Sequence, residues 1–183
     1  AITKEEIPII RKKKSRPLLN FCLFFVFVIA AAFLMKTFVI QIANISGESM
    51  YPTLHNEDKV LVSMFSYLVG EPEKEDIVII SSPERFGDKY IKRIIALPGE
   101  HIQIKDNQVF INEELLTEEY LTNTYTNGNI DTIVPADSYF VMGDNRTKSS
   151  DSRSGSIGFI KRDEIVGKAL MVIYPKENWT MLN

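Results

Sequence analysis

The sequence predicts a mainly β protein: an antiparallel β-sheet domain behind one N-terminal transmembrane helix. Three observations carry this expectation. In the run 18–35 there are 18 positions, of which only Asn20 is polar. Beyond it the pattern changes to short segments rich in Val and Ile and bounded by turn formers, as buried strands are. No internal repeat, heptad or low-complexity tract interrupts these segments, and many short strands with little helix favour antiparallel pairing.

Taken in order, residues 1–16 form a basic tail in which Arg11, Lys12, Lys13, Lys14 and Arg16 cluster. The anchor is expected over 17–41. Its apolar run, as a helix, covers about 27 Å against the roughly 30 Å of a bilayer core. Lys36 can snorkel to the far headgroups, and 37–42 can carry the helix into the interface. A removable signal peptide would have a shorter apolar core, about 7 to 15 residues. Here Ala30, Ala31 and Ala32 lie inside the run, which favours an uncleaved anchor. Basic residues flanking a first span stay in the cytoplasm, so 42–183 is expected on the opposite face of the cell membrane, single-pass.

Within that domain 59–64 and 77–81 read as buried strands. Between them Phe65, Tyr67, Leu68 and Val69 form an apolar patch, which suits either core packing or a loop dipping into the bilayer. A strand over 90–96 closes at Leu97-Pro98-Gly99. Residues 101–105 and 108–111 form a hairpin about Asp106-Asn107, and Asn112-Glu113 turn the chain again towards Leu115 and Leu116. A small variable lobe is expected around 113–135, because 118–133 is polar and contains Asn127-Gly128. Strands over 139–142 and 165–174 complete the set.

Composition excludes several chemistries. A net charge of −3 argues against a general nucleic-acid binder. The single cysteine, Cys22, permits no intramolecular disulfide and no cysteine-based zinc site, and two histidines cannot make a three-histidine site. An enzyme here is expected to need no metal and no other cofactor.

Three stretches carry chemistry. In the first, Ser-Gly-Glu-Ser-Met-Tyr-Pro-Thr-Leu, Ser49 sits two residues after Gly47 and three before Pro52, a constrained turn that can expose a hydroxyl and lend a backbone N–H. It follows Met35 by 14 residues, which keeps it near the membrane surface. Neither His55, in a polar turn, nor His101, opening a strand, is a well-supported base. Lys92 is the better candidate: in Tyr-Ile-Lys-Arg-Ile-Ile-Ala-Leu-Pro-Gly-Glu the strand pleat sends Lys92 and Arg93 to opposite faces, so one can point inward while the other stays solvated or paired. Burial lowers a lysine's pKa, and a fall of ~2 to 3 units makes the neutral amine available at moderate pH. The third stretch, 139–153, is a strand running into a loop dense in Gly, Asp, Asn, Ser and Arg. Its hydroxyls can orient an amine without adding an opposite charge.

Together, in this order and behind one anchor, these stretches resemble the bacterial type I signal peptidases, membrane-bound Ser/Lys proteases, and the single anchor and short middle lobe look like the Gram-positive branch. The resemblance implies that Ser49 is the nucleophile, Lys92 the general base, and Ser149 the serine that orients the lysine. It further implies that Gly143, Asp144, Asn145, Asp151, Ser152 and Arg153 support the site, with Asp144, Asp151, Arg153 and Arg93 in structural ion pairs. Met50, Pro52 and Thr53 would shape the turn. Implied partners are secretory preproteins with small residues at the first and third positions before the cut, and the lipid bilayer; a monomer is expected. Two departures stand out: Gly47 replaces a family serine whose hydroxyl serves the oxyanion hole, and Glu75-Asp76 stands where Gly-Asp is usual. Rival readings are a self-cleaving Ser/Lys repressor, which would carry a DNA-binding domain in place of the anchor, and a tethered β domain without catalysis.

Overall fold

The structure, a computed structural model, describes residues 17–81 and 87–182, with the side chains of 33–38 outside the description. The chain divides into two compact units, 1–35 and 36–183, and each is taken by itself. The basic cluster at 11–16 lies outside the described residues.

In the first unit begins α1, Pro17–Phe38. Pro17 suits a first turn, where its missing N–H leaves no bond unmade. Apart from Asn20, the described side chains of α1 are apolar or nearly so on every face, and Phe21, Phe24, Phe25 and Phe27 are all exposed. Among the described residues no helix is long and apolar enough to cross a membrane. The expected extension of the helix through 37–42 is corrected: α1 stops at Phe38, and a strand, β1 (Ile40–Asn44), follows. Pairing explains the switch, since Ile40, Ile42 and Ala43 lie opposite Ser63, Leu61 and Val60 of β2 (Lys59–Ser63).

The second unit continues with a short helix α2 (Ser66–Val69) and the strands β3 (Ile77–Ser81), β4 (Lys89–Ala96), β5 (His101–Lys105) and β6 (Gln108–Ile111). After these come β7 (Glu114–Leu115), β8 (Ile130–Ile133), β9 (Ser138–Met142), β10 (Ile160–Lys161), β11 (Ile165–Tyr174) and β12 (Thr180–Met181). One sheet runs β1-β2-β11-β3-β4-β9-β10 with β12 on β11, and a second runs β7-β6-β5-β8. The mainly antiparallel β fold expected from the sequence is what the domain adopts.

Turn chemistry sets the second sheet. Asp106 and Asn107 have φ of 51° and 61°, and Asn112 and Glu113 have 50° and 71°, so both two-residue connections use the left-handed pairs that match strand twist. The apolar patch after β2 divides: Tyr67 is buried beside Val78 and Ile80, while Leu68 and Val69 are 73% and 71% exposed. The polar stretch expected as a lobe is bound in more tightly than its composition suggests. Ile130–Ile133 pairs with β5, and Glu118 and Thr126 are buried.

Two packing clusters bear on the site. Ile45, Met50 and Leu54 join Val60, Val62 and Val172, so apolar residues on both sides of Ser49 anchor its turn in the core. Phe140 and Met142 of β9 pack with Ile95, Ile102 and Ile104, which seats the start of the 143–153 loop on the second sheet.

Candidate active site

The nucleophile turn is built by backbone bonds and by one glycine. Ile45 N–H donates to the Asp58 carbonyl at 2.8 Å, and Glu57 N–H returns to the Ile45 carbonyl at 2.9 Å, closing the base of the loop. Gly47, at φ +94°, turns the chain in a region that a side chain would strain. Its N–H donates to Asn56 Oδ1 at 2.9 Å. Leu54 N–H then reaches the Met50 carbonyl at 2.9 Å, and Ser49 is left half-buried at the top.

Lys92 meets it from β4. Register with β3 pairs Lys92 with Val78 and Arg93 with Ile77, and the pleat sends the two cations to opposite faces. Both end up buried, at 4% and 3% exposure, so neither is a solvated strand residue. Lys92 Nζ lies 3.0 Å from Ser49 Oγ and 2.9 Å from the Ile91 carbonyl oxygen. Burial pulls the amine down to about 8, against the opposing pull of Asp151 and Asp144 and with help from Arg153. Burial is the largest of these effects, and Arg153, paired with Asp151, offsets part of that carboxylate's pull.

Those arginine pairs frame the loop. Arg93 holds Asp144 through Nε to Oδ1 at 2.9 Å and Nη2 to Oδ2 at 2.8 Å, and the Thr53 hydroxyl adds a bond to Oδ2 at 2.5 Å. On Asp151, Arg153 places Nε and Nη2 at 2.8 Å each, and Gly143 N–H donates at 3.0 Å. Burial pushes the Asp151 carboxyl up, but these donors outweigh it and hold it below the usual carboxylate range. Ser152 locks the loop's return: its N–H donates to the Val141 carbonyl at 3.1 Å, and its Oγ accepts from Val141 N–H at 2.9 Å.

Asn145 joins the loop to the nucleophile. Its backbone N–H donates to the Ser49 carbonyl and its Nδ2 to the Glu48 carbonyl, both at 3.0 Å. Pro52 is half-buried, next in sequence to Thr53, whose hydroxyl holds Asp144. Ser149 lies against Gly143. Its hydroxyl is buried and completes no hydrogen bond of normal geometry, though it is close enough to Asp151 to favour the ionised carboxylate. The bond to Lys92 implied for Ser149 is therefore not among those described for Nζ, which go to Ser49 and Ile91.

Gly143 has no room for a side chain. A Cβ there would overlap Ser149 Oγ and the Ser49 carbonyl oxygen, far inside any real contact. Gly143→Ala is therefore expected to lower kcat/KM by about 100-fold, since displacing a reacting group by about 1 Å costs that much. The check is steady-state kinetics beside a melting curve, which should show the variant folded.

Sequence reasoning missed a buried cluster behind the loop. Arg146 donates from Nη1 to Glu118 Oε2 at 2.9 Å and to Thr126 Oγ1 at 2.6 Å, and from Nη2 to Glu118 Oε1. Tyr120 donates to the same Glu118 oxygen at 2.6 Å and stacks its ring 3.9 Å from the Arg93 guanidinium. Arg146 stood in the third stretch, but nothing in the spacing joined it to a glutamate 28 residues earlier. The Glu75-Asp76 departure is resolved by conformation. Glu75 takes the glycine's role at φ +71°, and its carbonyl accepts from Arg93 Nη1 at 3.0 Å.

A cleft of about 270 Å³ opens at the dyad, walled by 43–46 on one side and 89–92 on the other, with Ile79 at its base. Among the described residues no group of three or more His, Cys, Asp or Glu is arranged to hold a metal ion. The arrangement can activate a serine by a neutral amine beside an open groove.

The chain is similar to known peptidases. The family model "Signal peptidase, peptidase S26" matches residues 18–174. Signal peptidase I S of Bacillus subtilis is 36% identical over 177 residues, covering 91% of this chain and 93% of that protein. Signal peptidase I T of the same organism is 37% identical over 174 residues, covering 90% and 89%. A crystal structure of a signal peptidase I from Enterococcus faecalis is 34% identical, covers 55% of this chain and 97% of that one, and has a TM-score of 0.46.

Proposed function

The chain belongs to the signal peptidase family, peptidase S26, and we propose that within it Ser49 is the nucleophile and Lys92 the general base. It is a serine-type peptidase that removes signal peptides from exported preproteins. The observation that carries the dyad is the 3.0 Å approach of Ser49 Oγ to a buried lysine whose amine is easily neutralised.

Neutral Lys92 accepts the Ser49 proton as Oγ attacks the scissile carbonyl. The protonated amine then gives that proton to the departing amine, and the signal peptide stays on Ser49 as an ester. Water, deprotonated by the same lysine, releases it. Ser49 N–H serves as one oxyanion donor. Gly47 is not a ready second one, having no hydroxyl and an N–H already held by Asn56.

Sheet topology supports a substrate bound as an added strand. β1 is an edge strand, and β9 takes up pairing with β4 only from Arg93, leaving 89–92 open on that side. A preprotein segment in the cleft meets both edges, and its alternating side chains send the first and third residues before the cut to one face. The space left by Ile79 and Ile91 suits small residues there.

Membrane attachment belongs to the same proposal. α1, apolar in sequence from Leu18 to Met35 apart from Asn20, anchors the chain as a single span, with the basic tail cytoplasmic and the β domain outside. The enzyme acts as a monomer, confined with its substrates to one membrane surface. A tethered domain without catalysis would leave precursors uncut.

The test is cleavage of a precursor with an Ala-x-Ala site by the purified protein across pH 6 to 10. Only the neutral lysine is competent, so kcat/KM should climb about tenfold per pH unit below about 8 and level off above it. A profile flat from pH 6 to 9 would remove Lys92 from the base's role.

A further inference from the structure

The Ser49 turn is a ridge between two clefts. One is the groove at 43–46 and 89–92 that holds Ser49 and Lys92. On the other flank Glu48 and Tyr51, the residues one before and two after Ser49, line a larger cavity of about 410 Å³. Asn145 and Lys148 form a second side, and Thr122 and Tyr125 a third. Asn145 touches both regions, because it faces this cavity while its two N–H donors hold the Ser49 and Glu48 carbonyls.

The cavity's lining is somewhat more polar than that of the first cleft. Glu48 and Lys148 pair at 2.8 Å across its rim and stay 61% and 65% exposed, so both signs of charge face the solvent there. Tyr51 and Tyr125 are about half exposed, and each can lie along a peptide without forcing one side chain. The walls are stiff, since Asp144 and Arg146 beneath them are fixed by Arg93 and Glu118.

An extended peptide advances about 3.3 Å per residue. If its signal side fills the first cleft and its scissile carbonyl sits at Ser49 Oγ, the residues after the cut cross the ridge within two or three steps. We propose that the second cavity is the subsite for the first residues of the released chain, with Glu48 and Lys148 contacting the second or third side chain after the cut. The paired charges accept either sign at that position. This rests on the proposed seating of the signal side in the first cleft.

Two precursors that differ only in Asp or Lys at the second and third positions after the cut test it. The ratio of their kcat/KM values is measured for the full chain in detergent, for wild type and for Lys148→Glu. The variant turns the rim wholly acidic, and the ratio should move about tenfold towards the Lys precursor and shrink back in high salt. Loss of a merely structural contact would lower both rates alike, so a ratio that moves less than twofold overturns the subsite. In a second measurement the Ser49→Ala chain is irradiated with a precursor carrying a photoreactive residue at the second position after the cut. Labelling within 122–125 or 145–148 supports the proposal, and labelling confined to 89–91 overturns it. Wild type that cuts an uncharged Ala-x-Ala precursor but neither charged one would also overturn the subsite, whereas wild type that cuts none of the three would sink the peptidase reading beneath it.

Discussion

Replacing Ser49 by alanine or Lys92 by methionine is expected to lower kcat by about 10⁴-fold or more, the scale seen when one member of a group acting as a unit is removed. The stability of the two variants should diverge from their shared inactivity. Methionine keeps the apolar stem and removes an ammonium that is costly to bury. With the amine moved from 10.5 to about 8, charging it in the folded state costs about 3 kcal/mol at pH 7. The folded state binds fewer protons than the unfolded one between these two values, so wild type should gain stability as pH rises from about 8 to 10.5. Lys92→Met should lose that gain and melt above wild type at pH 7. Cleavage rates and melts at pH 7 and 10 check both halves. A Lys92→Met chain that cuts precursors at the wild-type rate would end the dyad reading.

The same physics explains what could be read in advance. The strand, its alternation and the opposed faces of Lys92 and Arg93 follow from a two-residue period that any β segment obeys. The left-handed turns at 106–107 and 112–113 follow from Asp and Asn chemistry. Legibility failed where partners lie far apart in sequence. Glu118 and Thr126 sit in a stretch polar enough to pass for a solvated excursion, and only the fold sets them on Arg146. Arg93 was open to either solvent or a partner, and its burial depends on Asp144, Tyr120 and the Glu75 carbonyl, brought together from three loops. At 37–42 apolar character suited helix and strand equally, and pairing with β2 decided for strand from Ile40.

Asp144→Ala is expected to destabilise the β domain by about 3–5 kcal/mol, the range for removing one partner of a buried ion pair. Against a total of roughly 5–15 kcal/mol this is a large fraction, and the melting temperature should fall by roughly 10 °C. The carboxylate takes a two-pronged guanidinium and the Thr53 hydroxyl in a site from which water is excluded, so its loss strands three donors at once. Asp144→Asn separates charge from shape. It keeps one acceptor, should lose less stability, and removes a negative charge that raises the Lys92 pKa. Its pH–rate limb should therefore move to lower pH even as the maximal rate falls, because Asn145, the next residue, sets the Ser49 carbonyl. A loss of loop order alone would lower the rate without moving the limb in that direction. The double variant Arg93→Met, Asp144→Leu removes both charges together, and its melting temperature should fall by less than the sum of the two single changes. Additive losses would mean that the pair holds the loop through separate contacts and not through each other.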